Sequence, residues 1–445
     1  MKSIKIFTFL LFYSFLSHAQ ESLSLTQAIE KALAQNFDIR IEKQNVQVTV
    51  NNNHIGQAGM LPSVSVNLTQ NNNATKIENP ASVLQGTTYS NSLQPTLNLN
   101  WTIFNGFSAQ ITKQRLENLQ KDTEGNAKII VENTIQNIIR AYYRATLETE
   151  RLKVLAEVLK LSRERYDYLQ FKKELGTAVS SEVLLEKSNY LRDSSFYVNQ
   201  NLVIRDALRN LNLLMAEPEV NKNYSLSEKF DLTEKDYNLE ELLQNVVAEN
   251  VDLKRLFLTQ EILKSDQKLR EAAQFPTVTL NSFYSYNRNR QDLSDAKILT
   301  NPTATLGVNT ATTTNYGANL TLNFTVFNGG QIKRAIQNSK VQQEIGYLRI
   351  ERLKLSLKRD LSSAYDLYNV RKQLVKIALE YKKTAETNLQ LAEERFKNGT
   401  INSFDYRILQ NNFIDAAFDE LEAIFNLIDA NTTILRLSGG LVDQK

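Results

Sequence analysis

The chain contains no cysteine. That one absence excludes disulfides, thiolate metal sites and a lipid-bearing N-terminal cysteine. Histidine is nearly as scarce: His18 falls in a leader-like segment and His54 stands alone in a polar stretch. No P-loop, HExxH or dinucleotide fingerprint occurs, so no cofactor, metal or catalytic residue is assigned and the chain is not read as an enzyme. Only six prolines are present, none between Pro95 and Pro218 and none after Pro302. Nothing therefore forces a kink in those spans. Beyond the N-terminus no run of 18 apolar residues occurs, so no transmembrane helix is expected there. Strong charge is missing too. Formal net charge is +3, and removing Lys2 and Lys5 of the first twenty residues leaves 50 basic against 49 acidic groups. Such a balance gives no electrostatic ground for a nucleic-acid partner.

What is present begins with "MKSIKIFTFLLFYSFLSHAQ": two lysines, the apolar run Ile6–Leu16, then small residues at Ser17 and Ala19. This reads as a signal peptide over 1–19, with cleavage before Gln20 and export of the remainder. The run is too short to cross a bilayer as a helix.

The exported part reads as two copies of one plan, 20–217 and 238–445, joined by a polar segment at 218–237 that contains Pro218. "SLTQAIEKALAQNFDIR" (24–40) aligns without gaps to "NLEELLQNVVAENVDLK" (238–254), and "LPSVSVNL" (61–68) to "FPTVTLNS" (275–282), both at an offset of 214. "TIFNG" (102–106) and "TVFNG" (325–329) stand 223 apart, as do Gly176-Thr177 and Gly399-Thr400. One loop insertion in the second copy accounts for the change. Ser24 with Gln27, and Asn238 with Glu241, have capping-box spacing, and the helices they open are expected to run to about Gly56 and Ala272.

Each copy then carries two strands, about 62–104 and 275–327. Val64, Val66 and Leu68, then Leu97, Leu99, Trp101 and Ile103, alternate with Ser, Asn and Thr; Tyr316, Ala318, Leu320, Leu322, Phe324 and Val326 repeat the pattern. The Asn- and Thr-rich stretches near 70–92 and 288–315 are expected to be loops. Long helices follow. From about Phe107 to Leu175, apolar residues such as Ile135, Ile138, Ile139 and Tyr142 recur at threes and fours, as do Leu353, Leu357, Leu361, Ala364 and Tyr368. Gly176 and Gly399 end these helices, and each is followed by a second helix.

A strand with one polar face belongs either to a soluble sandwich or to a lipid-facing barrel. Flanked by helices of this length, the four strands have little local protein to cover their apolar side. In a membrane barrel that side meets lipid, and Trp101, Phe104, Tyr284, Tyr286 and Phe327 form an aromatic girdle. Four strands cannot close a barrel, and open edges are not tolerated in lipid. Two chains would supply eight strands and three would supply twelve, the latter wide enough to hold water.

The leader, the duplicated helix–strand–strand–helix–helix order, the two "FNG" junctions and the two "GT" turns resemble the TolC-like family of outer membrane efflux proteins. The resemblance implies a mainly α fold with a transmembrane β part: long α-helical hairpins forming a periplasmic tunnel, and four strands per chain in a shared 12-stranded trimeric β-barrel. It implies a homotrimer in the outer membrane with a periplasmic extension. It also implies a role in efflux or type I secretion, with a periplasmic adaptor and an inner-membrane pump as partners. An exported coiled-coil scaffold or adhesin without a pore is the alternative reading.

By the same resemblance Gly176, Thr177, Gly399 and Thr400 are the periplasmic tips, with Lys172, Lys173, Arg395 and Lys397 as adaptor-contact candidates. Glu182 and Asp405, six residues beyond each glycine, are the gate and selectivity candidates. Ile401 and Ile408 stand where the family's gate has an arginine and a second aspartate. Asn105-Gly106 and Asn328-Gly329 are read as the permissive backbone at which strand becomes helix.

Overall fold

The computed structural model describes residues 21–230, 234–301, 303–439 and 441. The expected leader and Gln20 lie outside them. In chain order the elements are β1 (Glu21–Leu23), α1 (Leu25–Gln35), α2 (Phe37–Asn52), β2 (Ser63–Ile77), β3 (Leu84–Asn105), α3 (Ser108–Glu174), α4 (Ser180–Leu214), β4 (Tyr224–Leu226), α5 (Leu239–Glu249), α6 (Val251–Ala272), β5 (Thr277–Asp292), β6 (Ala296–Ile298), β7 (Val308–Asn323), α7 (Gln331–Lys397) and α8 (Ser403–Leu437). The duplicated plan is visible in the lengths. α3 and α7 both have 67 residues, and α4 and α8 both have 35.

The described chain forms two compact units. One comprises the chain up to Glu42, Ala127–Val251 and the chain from Lys354; the other comprises Lys43–Asn126 and Asp252–Leu353. In the first, β1 pairs with β4 in parallel, Glu21 opposite Tyr224, so the joining segment does carry structure of its own. Beside this pair Leu23, Ala28, Ala32, Ile138, Ala141, Tyr142, Leu211 and Met215 make one buried cluster. The Tyr142 hydroxyl donates to the Leu23 carbonyl at 2.8 Å and accepts the Glu228 N–H at 3.1 Å. A phenol can sit in that core because both sides of its oxygen are satisfied.

The opening helix of each copy is not continuous, as the apolar period alone suggests, but broken at an asparagine. Asn36 (ψ 133°) separates α1 from α2, and Asn250 (ψ 122°) separates α5 from α6. The Asn36 side chain accepts the N–H groups of Asp38 and Ile39, capping α2. Its amide donates to the last carbonyl of α4, Leu214, at 2.8 Å. Asn250 does the same to the last carbonyl of α8, Leu437, at 3.3 Å. Each break thus ties a helix start to a helix end. The N-caps of α1 and α5 differ. Ser24 and Gln27 form the full reciprocal box. Asn238 accepts from Glu240, one residue earlier than the spacing to Glu241 predicts, because the short planar amide closes the tighter turn.

In the second unit the sheet order is β2-β3-β5-β7, all antiparallel, with the short β6 beside β3. Register assigns the faces, because residues directly opposite share one. Val66, Leu97, Tyr284 and Tyr316 form one rung of the apolar face. Ser63, Asn100, Asn281 and Asn319 form a rung of the polar face. Phe283 is the exception on that polar face. It stands over Gly317, where a Cβ would come within 3.1 Å of its ring. The apolar face is open: Val66 is 71% exposed, Tyr316 80% and Leu320 68%. No described helix is long and apolar enough to cross a membrane.

Three strand expectations change. The polar stretches near 70–92 and 288–315 are largely strand, since Asn and Thr pair across β2–β3 and β5–β7 as regularly as the apolar rungs do. A β-bulge at Ile103 shifts the phase, so that Phe104 comes opposite Val278 and joins the apolar face. β7 stops at Asn323, leaving Phe324, Val326 and Phe327 beyond its end.

At the junctions the left-handed conformation falls on the glycine and the residue after it, not on the asparagine. Gly106 (φ 65°) and Phe107 (φ 67°) match Gly329 (φ 64°) and Gly330 (φ 74°). Asn105 acts instead as a cap, its side-chain oxygen accepting the Ala109 N–H at 3.2 Å. At the other junction the Asn328 carbonyl accepts the Gln331 N–H, and Arg334 donates to the Gly329 carbonyl.

A Cβ at Gly106 would lie 2.4 Å from the Ala272 oxygen and 2.8 Å from Phe275 Cβ, whereas one at Gly329 meets nothing within 4 Å. Gly106→Ala should therefore cost roughly 2–5 kcal/mol, from backbone strain plus overpacking, and Gly329→Ala about 1–2 kcal/mol from strain alone. Urea midpoints of the two variants measure the gap; equal losses would contradict the crowding at Gly106. Asn36→Ala and Asn250→Ala should each cost about 1–3 kcal/mol, because the Leu214 or Leu437 carbonyl loses its partner. Thermal unfolding against a nearby exposed-site control, such as Gln47→Ala, checks this.

Candidate functional site

The two helical hairpin turns are built alike. Gly176 N–H donates to the Lys173 carbonyl and Thr177 N–H to the Lys172 carbonyl, both at 2.9 Å. Gly399 N–H donates to Phe396 at 3.0 Å and Thr400 N–H to Arg395 at 2.8 Å. Each threonine hydroxyl adds a bond of 3.0 Å to the same carbonyl as its own N–H. The glycines have φ of 74° and 72° with open space around them, so backbone conformation and not crowding requires them.

Three residues into each following helix stands the acid. Glu182 follows the N-cap Val179, and Asp405 follows Asn402, whose side chain accepts the Asp405 N–H at 2.9 Å. Both acids are exposed, and neither has an ion-pair partner among the described residues. Each stands in the first turn of its helix. Of the basic candidates, Lys172 lies over the Tyr168 ring at 4.8 Å. Lys397 is bonded to Glu393 at 2.6 Å, and that carboxylate holds its pKa above the usual lysine value. The Arg395 contribution to the turn is its carbonyl, which receives both Thr400 bonds. Ile401 is half-buried against the core and Ile408 is exposed.

The structure brings the two turns together on one core. Val158, Leu169 and Val183 from α3 and α4 pack with Ala385, Leu389, Phe396, Tyr406 and Phe413 from α7 and α8. The Tyr168 ring meets Phe396 edge-on at 6.2 Å. The junction residues Asn105, Gly106, Asn328 and Gly329 belong to the other unit.

Behind the turns lies a buried charge cluster that the apolar periodicity does not announce. Arg407 holds Asp193 with two bonds, Nη1 to Oδ2 at 2.6 Å and Nη2 to Oδ1 at 2.7 Å. Arg165 Nε meets Glu186 at 3.1 Å. Both guanidiniums donate to Gln410 Oε1, at 2.9 and 3.0 Å. Ser162 donates to Asp193, Asn189 donates to Glu186, and the Arg165 guanidinium stacks on Tyr406 at 4.1 Å. All of these side chains are buried, and two cations balance two anions. The available signal was the polar stripe Glu186, Asn189, Asp193 and Gln200 of α4, set at threes, fours and sevens on the face that carries Val183.

A mainly helical chain with paired long hairpins and a four-stranded antiparallel sheet, apolar on one open face, has the fold of an outer membrane channel subunit. The sequence model of the outer membrane efflux protein family matches twice, at residues 28–217 and 242–440. The chain belongs to that family, and its place is the outer membrane. Among solved structures it is similar to the CmeC outer membrane channel of Campylobacter jejuni, with a TM-score of 0.75, 17% identity, and coverage of 94% of this chain and 85% of that one. The outer membrane protein VceC of Vibrio cholerae matches with a TM-score of 0.70 and 13% identity over 94% of this chain and 96% of that one. The open state of the Neisseria gonorrhoeae MtrE outer membrane channel matches with a TM-score of 0.66 and 15% identity, over 94% and 89%. No curated protein sequence matches the chain.

Removing one partner of the buried cluster leaves the other charge uncompensated. Asp193→Ala should cost about 3–5 kcal/mol, whereas the paired replacement Asp193→Leu with Arg407→Met should recover most of it. Denaturant unfolding of both variants is the check. A mild single variant would mean the pair is solvated.

Proposed function

We propose that the chain is one subunit of a passive export duct, a homotrimer whose twelve strands close one barrel in the outer membrane. The observation that carries this reading is the sheet register: all four long strands turn their apolar residues, Phe283 apart, mainly to one open face, and both outer strands, β2 and β7, have one unpaired edge. Lipid on the apolar face and a β2–β7 contact between neighbouring subunits satisfy both features together. The Ser, Asn and Thr rungs then line a water-filled interior. The helical hairpins form the periplasmic tunnel, and their turns are its entrance. A periplasmic adaptor and an inner-membrane pump open that entrance and supply the energy, in efflux or type I secretion, since a duct of this kind performs no chemistry of its own.

At the entrance, Glu182 and Asp405 from three subunits would form rings of carboxylates that attract cations and repel anions. Their exposure and lack of pairing in the single subunit support that role. The experiment combines assembly with conduction. The purified chain should require detergent, have the mass of three copies in light scattering, and form cation-selective pores in planar bilayers. Glu182→Ala with Asp405→Ala should lower cation selectivity several-fold without changing assembly. A monomer that stays folded in buffer without detergent would sink the duct, and unchanged selectivity in the double variant would remove only the gate assignment.

A further inference from the structure

Beyond the aromatic residues, the lipid-side face of the sheet does not simply become polar. Along β5 the residues on that face are Val278, Leu280, Ser282, Tyr284, Tyr286, Arg288, Arg290 and Asp292. Two tyrosines are followed by two arginines, both exposed, on the same side of the same strand. Because β5 is flanked by β3 and β7, its neighbours come from this chain alone. Arg288 stands between Leu93 and Thr312. Arg290 stands between Asn91 and Thr310, and Asn91 pairs in turn with Asn72. Around Arg290 lies a depression of about 390 Å³ lined by Asn72, Tyr89, Asn91 and Asp292. Neither arginine has an ion pair or hydrogen bond to a described residue. The carboxylate of Asp292 is bonded by the N–H and hydroxyl of Ser294 and also lies within the field of Arg290, without a direct bond to it.

This end of the strand lies away from the helical junction, where Thr277 pairs with Asn105. Successive positions on one face are about 7 Å apart, so a single headgroup can meet both arginines. We propose that Arg288 and Arg290, with the amides of Asn72 and Asn91, form a site for the phosphate of a lipid headgroup in the outer leaflet. The apolar face gives acyl chains their contact, the tyrosines mark the interface, and the arginines meet the phosphate just beyond it. Arginine suits this role because its planar fork binds phosphate oxygens in pairs and is weakly hydrated. The site rests on the reading that this face meets lipid.

The test uses the full trimeric protein in detergent, titrated with diphosphoryl lipid A and followed by native mass spectrometry. Arg288→Gln with Arg290→Gln should weaken lipid A binding about 30-fold, at roughly fivefold per arginine. Arg288→Lys with Arg290→Lys should retain part of it, which separates charge from general damage. Equal binding by the glutamine variant overturns the proposal. So does displacement of lipid A by inorganic phosphate alone, since the site would then serve a free anion. Insertion into lipid vesicles is scored separately. If the wild-type chain fails to insert, the lipid-facing reading fails; if it inserts but binds lipid A without the arginines, only this site does.

Discussion

A bilayer offers a peptide group no hydrogen-bond partner, and that constraint governs how this chain is organised. Fifteen or more consecutive residues in β2 and in β7 each leave one backbone edge unpaired within the subunit. In water such edges invite aggregation, and proteins blunt them with charge, proline or bulges. Here the interior of the sheet is irregular at Pro95 and Ile103, whereas β2 and β7 are regular along their full length. Edges kept this regular are suited to joining further strands. In the proposed ring of identical subunits, β2 of one copy would meet β7 of the next, and no edge would remain.

The helices of the two copies are matched in length, α3 with α7 and α4 with α8. Matched helices create a second problem. Apolar residues at threes and fours pack nearly as well one heptad along, so periodicity alone leaves the register of two long hairpins weakly determined. The buried cluster answers it. Arg407 fits Asp193 in only one alignment, and Gln410 accepts from both guanidiniums only when Arg165 is level with it. A slip of one turn between the hairpins would separate Arg407 from Asp193 and leave two buried charges unpaired, at a cost far above the net gain of the pair in place. The cluster therefore acts chiefly against wrong alignments.

Much of this was legible in the sequence because it rests on local rules. Period-two alternation gave the four strands, and glycine past a helix end gave both turns, with the threonine explained by a doubled bond to one carbonyl. What escaped depends on partners distant in sequence. The breaks at Asn36 and Asn250 follow "Asn-x-Asp" patterns that are readable as caps, but the reason for them, the Leu214 and Leu437 carbonyls, lies 178 and 187 residues away. Arg165 and Glu186 look like surface charges on an exposed helix until α8 covers them. The bulge at Ile103 is set by the β3–β5 pairing and leaves no local mark. Asn105-Gly106 and Asn328-Gly329 read as permissive pairs, and within each pair the positive φ falls on the glycine, while Asn105 caps α3.

The divergence between the copies separates these two kinds of constraint. Positions fixed by backbone conformation recur in both: glycine then threonine at the turns, glycine after asparagine at the junctions, asparagine at the helix breaks. At one left-handed position the residue does not recur. The residue after the junction glycine is left-handed in both copies, yet one has Gly330 and the other Phe107, whose ring meets Phe104 edge-on at 5.3 Å. That contact offsets part of the strain a side chain incurs there. Gly106 is likewise hemmed in by Ala272 and Phe275, while its counterpart Gly329 is open. The first junction has thus become a packed corner and the second has stayed a bare turn. Duplication preserved the path of the chain and left the surroundings of each half free to change.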